Sequence, residues 1–156
     1  MESEGGPVEE IAATSLRAIM HTDFERVHPD TSLADIYRLF AVRGRSDVIV
    51  IDDDGHFVGM ITELDLLSAV SPGVGVRSRR KLGCVECMIR SRATRAGEIM
   101  TRGHITLPDT VSIERAMVSM EKNRHPDVVV LDEAGVAVGV VEMCDIIAYF
   151  IEKGVI

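Results

Sequence analysis

The chain has 156 residues, of which 46% are hydrophobic and 4% aromatic, and its formal net charge is −8 at pH 7. That charge argues against general nucleic-acid binding, which depends on clustered Lys and Arg beside phosphate groups. No apolar run approaches the roughly 18 residues that a membrane span needs. The length allows one compact domain or two small ones packed together, with an aliphatic core that needs neither disulfides nor metal.

Cysteine usage and the N-terminus both indicate a reducing compartment. Three cysteines do not make a disulfide framework, and an odd count is awkward for a secreted protein. Residues 1–6 are acidic and lack the basic-then-apolar order of a secretory signal. We therefore expect a cytoplasmic protein that does not associate with membranes.

The first half of the chain changes its hydrophobic period in the order strand, helix, strand, strand, helix. Residues 1–14 are predicted to be an N-terminal tail and lead-in. The periodicity then predicts an extended piece at 27–32, a helix at 33–40, strands at 48–51 and 57–61, and a helix from 62. Asp53-Asp54-Gly55 supplies the tight turn between the two strands. We interpret Asp52, Asp53 and Asp54 as turn residues rather than as a cation site.

The second half repeats this order of elements. The predicted segments are an extended piece at 104–107, a helix at 111–122, strands at 128–131 and 136–141, and a helix at 144–151. Between the halves, residues 73–94 form a connector rich in arginine that also contains the pair Cys84 and Cys87. Each half is therefore β-α-β-β-α, and neither buries its sheet well alone, so the two should pack on each other.

A duplicated heptapeptide is the strongest single signal. Gly-Met-Ile-Thr-Glu-Leu-Asp at 59–65 recurs eighty positions later as Gly-Val-Val-Glu-Met-Cys-Asp at 139–145. The same offset links Ile19-Met20 to Ile99-Met100 and Asp47-Val48 to Asp127-Val128. Such duplication predicts two similar sites, or one site where the repeats meet. Glu142 replaces Thr62 in the second copy, so the two sites are not equivalent.

These features resemble a tandem pair of CBS domains, the regulatory arrangement called a Bateman module. The resemblance rests on the repeated element order, on Ile-Met followed by Pro-Asp-Thr, and on the Gly-h-h-Thr/Ser-x-x-Asp signature (h apolar), which 59–65 satisfies in full. It implies an α/β (α+β) fold of two repeats packed by pseudo-two-fold symmetry. The expected domains are CBS domain 1 at 15–72 and CBS domain 2 at 95–156, joined by the basic connector.

The chemistry of the signature allows two interpretations of Thr62 and Asp65. Thr-x-x-Asp between a strand and a helix is nearly a capping box, which is purely structural. Alternatively, a carboxylate accepts hydrogen bonds from a ribose diol. A helix N-terminus with a threonine hydroxyl favours phosphate, and Gly59 lets backbone approach a ligand. The second interpretation predicts a nucleotide site, with capping as a concurrent role.

The resemblance implies an adenosine ligand: AMP, ADP, ATP or S-adenosylmethionine. The base is then expected near Val27, His28, Ile49 and Val50. The second copy retains Gly139 and Asp145, which could hold a ribose, but Glu142 places a negative charge where phosphate would lie. Like charges at that range cost on the order of 1 kcal/mol or more. We therefore predict that the second site disfavours phosphates. No cofactor is expected to be required.

The expected function is that of a stand-alone, non-catalytic sensor acting on an unidentified regulated protein. No nucleophile with a paired base is evident in the sequence. The resemblance implies a homodimer, with the helices carrying Leu64/Leu67 and Ile146/Ile147 as contact surfaces. Two alternatives are a ligand-free dimeric scaffold and a metal- or redox-responsive module using Cys84 and Cys87. We expect no zinc site at these cysteines, because one chain offers only two nearby thiols where a structural zinc takes four ligands, and only a dimer that brings two connectors together could complete a four-thiolate site.

Overall fold

The computed structural model describes residues 6–44, 47–70 and 93–156. The α-helices are α1 Pro7–Ala12, α2 Leu33–Phe40, α3 Glu63–Val70, α4 Ile113–Asn123 and α5 Met143–Glu152, with short 3-10 helices at Leu16–Ala18 and Ala96–Glu98. The strands are β1 Arg26–Val27, β2 Asp47–Ile51, β3 Phe57–Thr62, β4 Thr106–Pro108, β5 Asp127–Leu131 and β6 Ala137–Glu142. The predicted order of elements is confirmed in both halves.

Two three-stranded sheets carry the fold, one in each half. Their strand orders are β1-β2-β3 and β4-β5-β6. In each sheet the first strand runs parallel to the middle strand, and the third is antiparallel to it. The registers match as well, since Ile49 pairs with Met60 and Val129 with Val140. This confirms a mixed α/β fold built from two βαββα repeats.

Asp52 organises the turn between β2 and β3. Its Oδ1 accepts the backbone N–H groups of Asp54 at 3.0 Å and His56 at 2.9 Å, and Gly55 has the left-handed φ of 85° that the turn requires. Desolvation favours the neutral acid, but these backbone hydrogen bonds and the nearby His56 side chain together outweigh it and lower the pKa of Asp52. Asp132 makes the same two bonds in the second repeat.

Each of the two compact units includes the short segment that precedes the other repeat. We call these segments, residues 1–24 and 93–103, the first and second lead-in segments. The first-repeat unit is Glu25–Gly103, and the second-repeat unit combines Met1–Phe24 with His104–Ile156. Ile99 and Met100 accordingly lie in the core of the first-repeat unit, and Leu16 lies in the core of the second. The bounds of the predicted sequence repeats, 15–72 and 95–156, therefore do not coincide with the bounds of the two compact units.

The N-terminal region predicted to be a tail contains a helix. Helix α1 begins with Pro7 at its first position, and the Glu9 carboxylate accepts the Gly6 N–H at 3.0 Å. Helix α2 begins at Leu33 as predicted, and the Ser32 hydroxyl caps it. Helix α4 begins at Ile113, two residues later than predicted, because the Ser112 hydroxyl is its cap. Among the residues described, none of the helices has the length and apolar character to cross a membrane.

Most of the predicted basic connector, with Cys84 and Cys87, lies outside the described residues. Arg95, which follows it, is described and donates to the exposed carboxylate of Asp30 at 3.3 Å. The metal- or redox-responsive interpretation of the two cysteines therefore stays a prediction.

Candidate functional site

The junction between β3 and α3 forms a reciprocal capping box. The Thr62 N–H donates to Asp65 Oδ2 at 2.9 Å, and the Asp65 N–H donates to Thr62 Oγ1 at 3.3 Å. The Thr62 hydroxyl also donates to Asp65 Oδ2 at 3.1 Å. The structural interpretation of the signature is thus present in full, and a ligand role would be additional to it.

Thr101 adds a third group to this junction. Its hydroxyl donates to Asp65 Oδ1 at 3.2 Å and to Oδ2 at 3.4 Å, and Asp65 is only 6% exposed. Thr101 was missed from the sequence because its counterpart eighty positions earlier is His21, so the repeat did not mark it. The first-repeat unit therefore surrounds one buried carboxylate with hydroxyl donors.

Gly59 is needed for the packing of the chain against itself. A Cβ at this position would lie 2.8 Å from Met100 Sδ and 3.0 Å from the Thr101 carbonyl oxygen. Met60 and Thr101 exchange two backbone hydrogen bonds beside it, of 2.9 and 2.7 Å. The close approach at Gly59 is thus made by residues 100–101, and a ligand role for this glycine stays a prediction.

The residues predicted to contact a base do not share one surface. Val27 and Val50 belong to the hydrophobic core of the first-repeat unit, with exposures of 8% and 0%. Ile49 is also buried, but alternation along β2 directs it to the opposite face from Val50. The side chains of Val27 and Val50 belong to the core, so contact of these two residues with a base would have to come from their backbone, and the base contacts stay a prediction.

His28 lies over the turn between β2 and β3. Its Nδ1 accepts the Asp30 N–H at 3.3 Å, which places the ring proton on Nε2, and Nε2 lies 2.7 Å from Asp53 Oδ1. The imidazole therefore joins the end of β1 to the turn. Its side chain is 38% exposed, so it is accessible to solvent.

The corresponding junction in the second-repeat unit, between β6 and α5, has different side chains. The Glu142 N–H donates to Asp145 Oδ2 at 2.7 Å, which repeats the backbone half of the capping box. His21 replaces Thr101, and its Nδ1 lies 2.9 Å from Asp145 Oδ2. Gly139 again faces the lead-in segment, since a Cβ there would lie 2.6 Å from Met20 Sδ. The repeat did not mark His21 either, because the corresponding residue eighty positions later is Thr101.

Cys144 adjoins this second junction. Its Sγ lies 3.7 Å from Glu142 Oε2. Burial, and then the nearby carboxylates of Asp145 and Glu142, raise the pKa of the Cys144 thiol. The group is therefore held protonated near neutral pH, which disfavours its use as a nucleophile.

The two junctions share a fold and differ in charge. Thr62, Asp65 and Thr101 carry one formal negative charge among them. Glu142 and Asp145 carry two, beside the imidazole of His21. An anion beside the second group would meet both carboxylates, whereas hydroxyls flank the single carboxylate of the first. The geometry therefore supports the prediction that the two sites are not equivalent.

The structure thus contains two βαββα repeats, each with a carboxylate at its final strand-to-helix junction. The sequence profile of the CBS domain family matches residues 16–72 and 96–152. Because the two matches together cover most of the chain, the protein belongs to the CBS domain family.

Curated relatives share this region and in part extend well beyond it. An uncharacterized protein of Methanocaldococcus jannaschii is 25% identical over 138 residues, covering 78% of this chain and 82% of that protein. Another from the same organism is 27% identical over 121 residues, covering 78% of this chain and 25% of that protein. Inosine-5′-monophosphate dehydrogenase of Thermoplasma acidophilum is 28% identical over 129 residues, covering 83% and 22%. The chain thus spans about a quarter of the length of two of these three relatives.

Solved structures establish the fold. CBSX2 in complex with AMP has a TM-score of 0.74 at 20% identity, covering 88% of this chain and 97% of that one. The CBS domain pair of protein MJ0100, in complex with 5′-methylthioadenosine and S-adenosyl-L-methionine, has a TM-score of 0.67 at 23% identity, covering 90% and 98%. The CBS domain of a bacterial CNNM/CorC family Mg²⁺ transporter in complex with ATP has a TM-score of 0.67 at 20% identity, covering 93% and 92%.

Proposed function

We propose that this chain is a regulatory sensor module that binds an adenosine-type nucleotide at the junction of β3 and α3. The observation that carries the proposal is the buried Asp65 carboxylate, held at a helix N-terminus between the hydroxyl groups of Thr62 and Thr101. Carboxylates recognise ribose diols, and helix N-termini favour phosphate. The AMP, S-adenosyl-L-methionine and ATP bound by proteins of the same fold support this choice of ligand.

The bonds that Thr101 makes are weak enough for a ligand to replace. At 3.2 and 3.4 Å they exceed the usual 2.5–3.0 Å range for O–H···O hydrogen bonds. A ribose hydroxyl that reached Asp65 could form a shorter bond to the carboxylate in place of Thr101. The Thr62 capping bonds would be retained, so α3 would keep its N-terminal cap.

The expected result is one phosphate-bearing nucleotide per chain, bound at the first-repeat unit. Asp65→Ala removes a hydrogen bond to a charged group, worth about 1.5–3 kcal/mol, so Kd should rise roughly 10- to 150-fold. Asp145→Ala is the matched control, because it deletes the corresponding capping carboxylate of α5 and should leave AMP affinity nearly unchanged. Titration calorimetry with AMP, ATP and S-adenosylmethionine measures both effects.

Two outcomes would contradict parts of this proposal. Equal AMP affinity at two sites per chain would show that Glu142 does not exclude phosphate. Failure of every adenosine compound to bind at millimolar concentration would remove the nucleotide function and favour the scaffold alternative. Mass spectrometry of small molecules retained through native purification offers an independent check.

We also propose a homodimer formed through the outer faces of α3 and α5. Leu64 and Leu67 on α3 are 75% and 51% exposed, and Ile147 and Ile151 on α5 are 41% and 59% exposed. Ile146, predicted to belong to the contact surface, is 1% exposed and lies in the core of the second-repeat unit. Exposed apolar side chains grouped on one helix are a feature of protein interfaces.

Charge introduced on these faces should separate the dimer. Leu67→Glu and Ile147→Glu should each shift the molar mass measured by light scattering from that of two chains to that of one. Val42→Glu, at a position that is 57% exposed beyond the end of α2, should leave the mass unchanged. A parent protein that is already monomeric at micromolar concentration would contradict the proposed dimer.

We propose that the module acts without catalysis, in the cytoplasm, and without binding nucleic acid or membrane. Its output would be a ligand-dependent interaction with a regulated protein. The response of the oligomeric state to oxidant or chelator would test the alternative that depends on Cys84 and Cys87.

A further inference from the structure

The second-repeat unit gathers three metal-ligating side chains at the start of α5. The Nδ1 of His21 and one carboxylate oxygen each from Glu142 and Asp145 lie within 4.8 Å of one another, and all three residues are partly buried. We propose that these side chains bind one divalent transition-metal cation of the zinc type. Imidazole and carboxylates are established zinc ligands, and three protein ligands leave a coordination position for water or another molecule. The imidazole disfavours Mg²⁺ and Ca²⁺, which select oxygen ligands.

The observed spacing is close to what such an ion requires. Bonds of about 2.0–2.2 Å place tetrahedral ligand atoms roughly 3.3–3.5 Å apart. His21 Nδ1 and Asp145 Oδ2 are 2.9 Å apart, so these two atoms need to separate by only a few tenths of an ångström. The Glu142 carboxylate oxygen lies within 4.8 Å of the other two ligand atoms, a gap that rotation of its flexible side chain can close. Asp145 also caps α5 through Oδ2. Each carboxylate oxygen has two lone-pair sites, so Oδ2 can accept the Glu142 N–H and still bind a cation.

Regular backbone structure holds the ligands in place. The N–H and C=O groups of His21 both form hydrogen bonds with Val140, each 3.0 Å long. Glu142 ends β6 two residues later, and Asp145 lies in the first turn of α5. Because a β-bridge presents His21 and a strand end and helix start present the two carboxylates, little backbone freedom is lost when a cation binds.

The first repeat provides an internal comparison. Its corresponding aspartate, Asp65, is hydrogen-bonded by the hydroxyls of Thr62 and Thr101. In the second repeat both positions facing the aspartate carry metal ligands instead, Glu142 and His21. The exchange also puts two carboxylates beside one imidazole, an excess of negative charge that a cation would neutralise. The replacement of both threonines by metal-ligating residues is independent of the distances between the atoms.

A second group of side chains also has its possible ligand atoms within 4.8 Å of one another, but the turn explains their proximity. Asp52, Asp54 and His56 could also surround a cation. However, Asp52 Oδ1 forms turn hydrogen bonds, which Asp132 reproduces with Ala134 and Val136, neither of which is a ligand. This group therefore serves as the matched control.

The experiment uses the full chain with Cys84→Ser and Cys87→Ser, so that those thiols cannot bind the probe metal. Titration calorimetry with Zn²⁺ should give one ion per chain. His21→Thr and Glu142→Thr, which restore the residue type of the first repeat, should each weaken binding by at least about 10-fold. Glu142→Gln, nearly the same size as the parent residue, should do the same, whereas His56→Ala should leave affinity unchanged. Circular dichroism checks that each variant is folded.

Three results would overturn the inference: no Zn²⁺ binding by the parent at submillimolar concentration, parental affinity in the His21 and Glu142 variants, or a loss confined to His56→Ala. The inference does not depend on the proposed nucleotide function, because AMP is expected at Asp65 in the first-repeat unit. AMP titration of the His21→Thr variant should match the parent, so failure of either proposal leaves the other measurable.

Discussion

Leu16→Ala should lower the free energy of unfolding by about 2–5 kcal/mol, the usual range for a buried leucine replaced by alanine. Leu16 is 0% exposed and packs in the core of the second-repeat unit, although the sequence assigns it to the first repeat. Its N–H donates to the Val111 carbonyl oxygen at 2.9 Å, which fixes it beside the start of α4. The cavity should therefore weaken the unit formed by the second repeat.

Urea denaturation measures the total loss, and native-state hydrogen exchange locates it. Faster exchange is expected in β5 and β6, with the first-repeat strands much less affected. Val118→Ala is the control, because Val118 lies on α4 of the same unit and is 58% exposed, so its effect should stay within about 0.5 kcal/mol. Loss of protection confined to β2 and β3 would contradict the observed assignment of Leu16.

Gly59→Ala is expected to destabilise the protein by about 1–3 kcal/mol, the cost of overpacking a filled site. The new methyl group would press on Met100 Sδ and on the Thr101 carbonyl oxygen. Moving Thr101 would also disturb the hydroxyl bond to Asp65. Nucleotide affinity should therefore fall together with stability.

Thermal and urea unfolding with AMP titration distinguishes this explanation from a ligand role for Gly59. A glycine needed only for ligand approach would, when replaced, reduce affinity and leave the stability of the free protein intact. Gly103→Ala is the matched control in the same unit, since a Cβ there meets nothing within 4 Å. That variant should be neutral or slightly stabilised, because alanine reduces the freedom of the unfolded chain.

Local patterns in the sequence were sufficient to predict most elements of the fold. The short apolar runs of β2 and β3 and the Asp-Gly turn each act over a few residues, so their bounds were predicted to within one or two positions. Helix α1 was missed, although Pro7 followed by Glu9 and Glu10 is a helix-start signal. The position of these residues near the end of the chain favoured a tail, but the local signal is the better predictor of the helix.

The packing partners of the lead-in segments could not be predicted in the same way. Ile19-Met20 and Ile99-Met100 were recognised as repeated, but a repeated dipeptide does not indicate which sheet it will contact. That choice depends on contacts such as His21 with Val140 and Met60 with Thr101, which join distant parts of the chain.

The candidate site was predicted only where the two repeats agree. Asp65, Asp145 and the two glycines were found because they recur. Thr101 and His21 decide the chemistry of each junction, yet they escaped notice because they differ from each other. Comparison of repeats thus finds the shared scaffold and misses the residues that distinguish one site from the other.

The exchange of lead-in segments also sets an order for folding. The first-repeat unit is continuous in sequence, whereas the second-repeat unit must bring residues before 25 together with residues after 103. Closing so long a loop costs entropy before any contact repays it, and contacts of large sequence separation form slowly. During synthesis Leu16 emerges early, but its partners in α4 and β5 follow only after the first-repeat unit is complete. The second-repeat unit is therefore expected to form last.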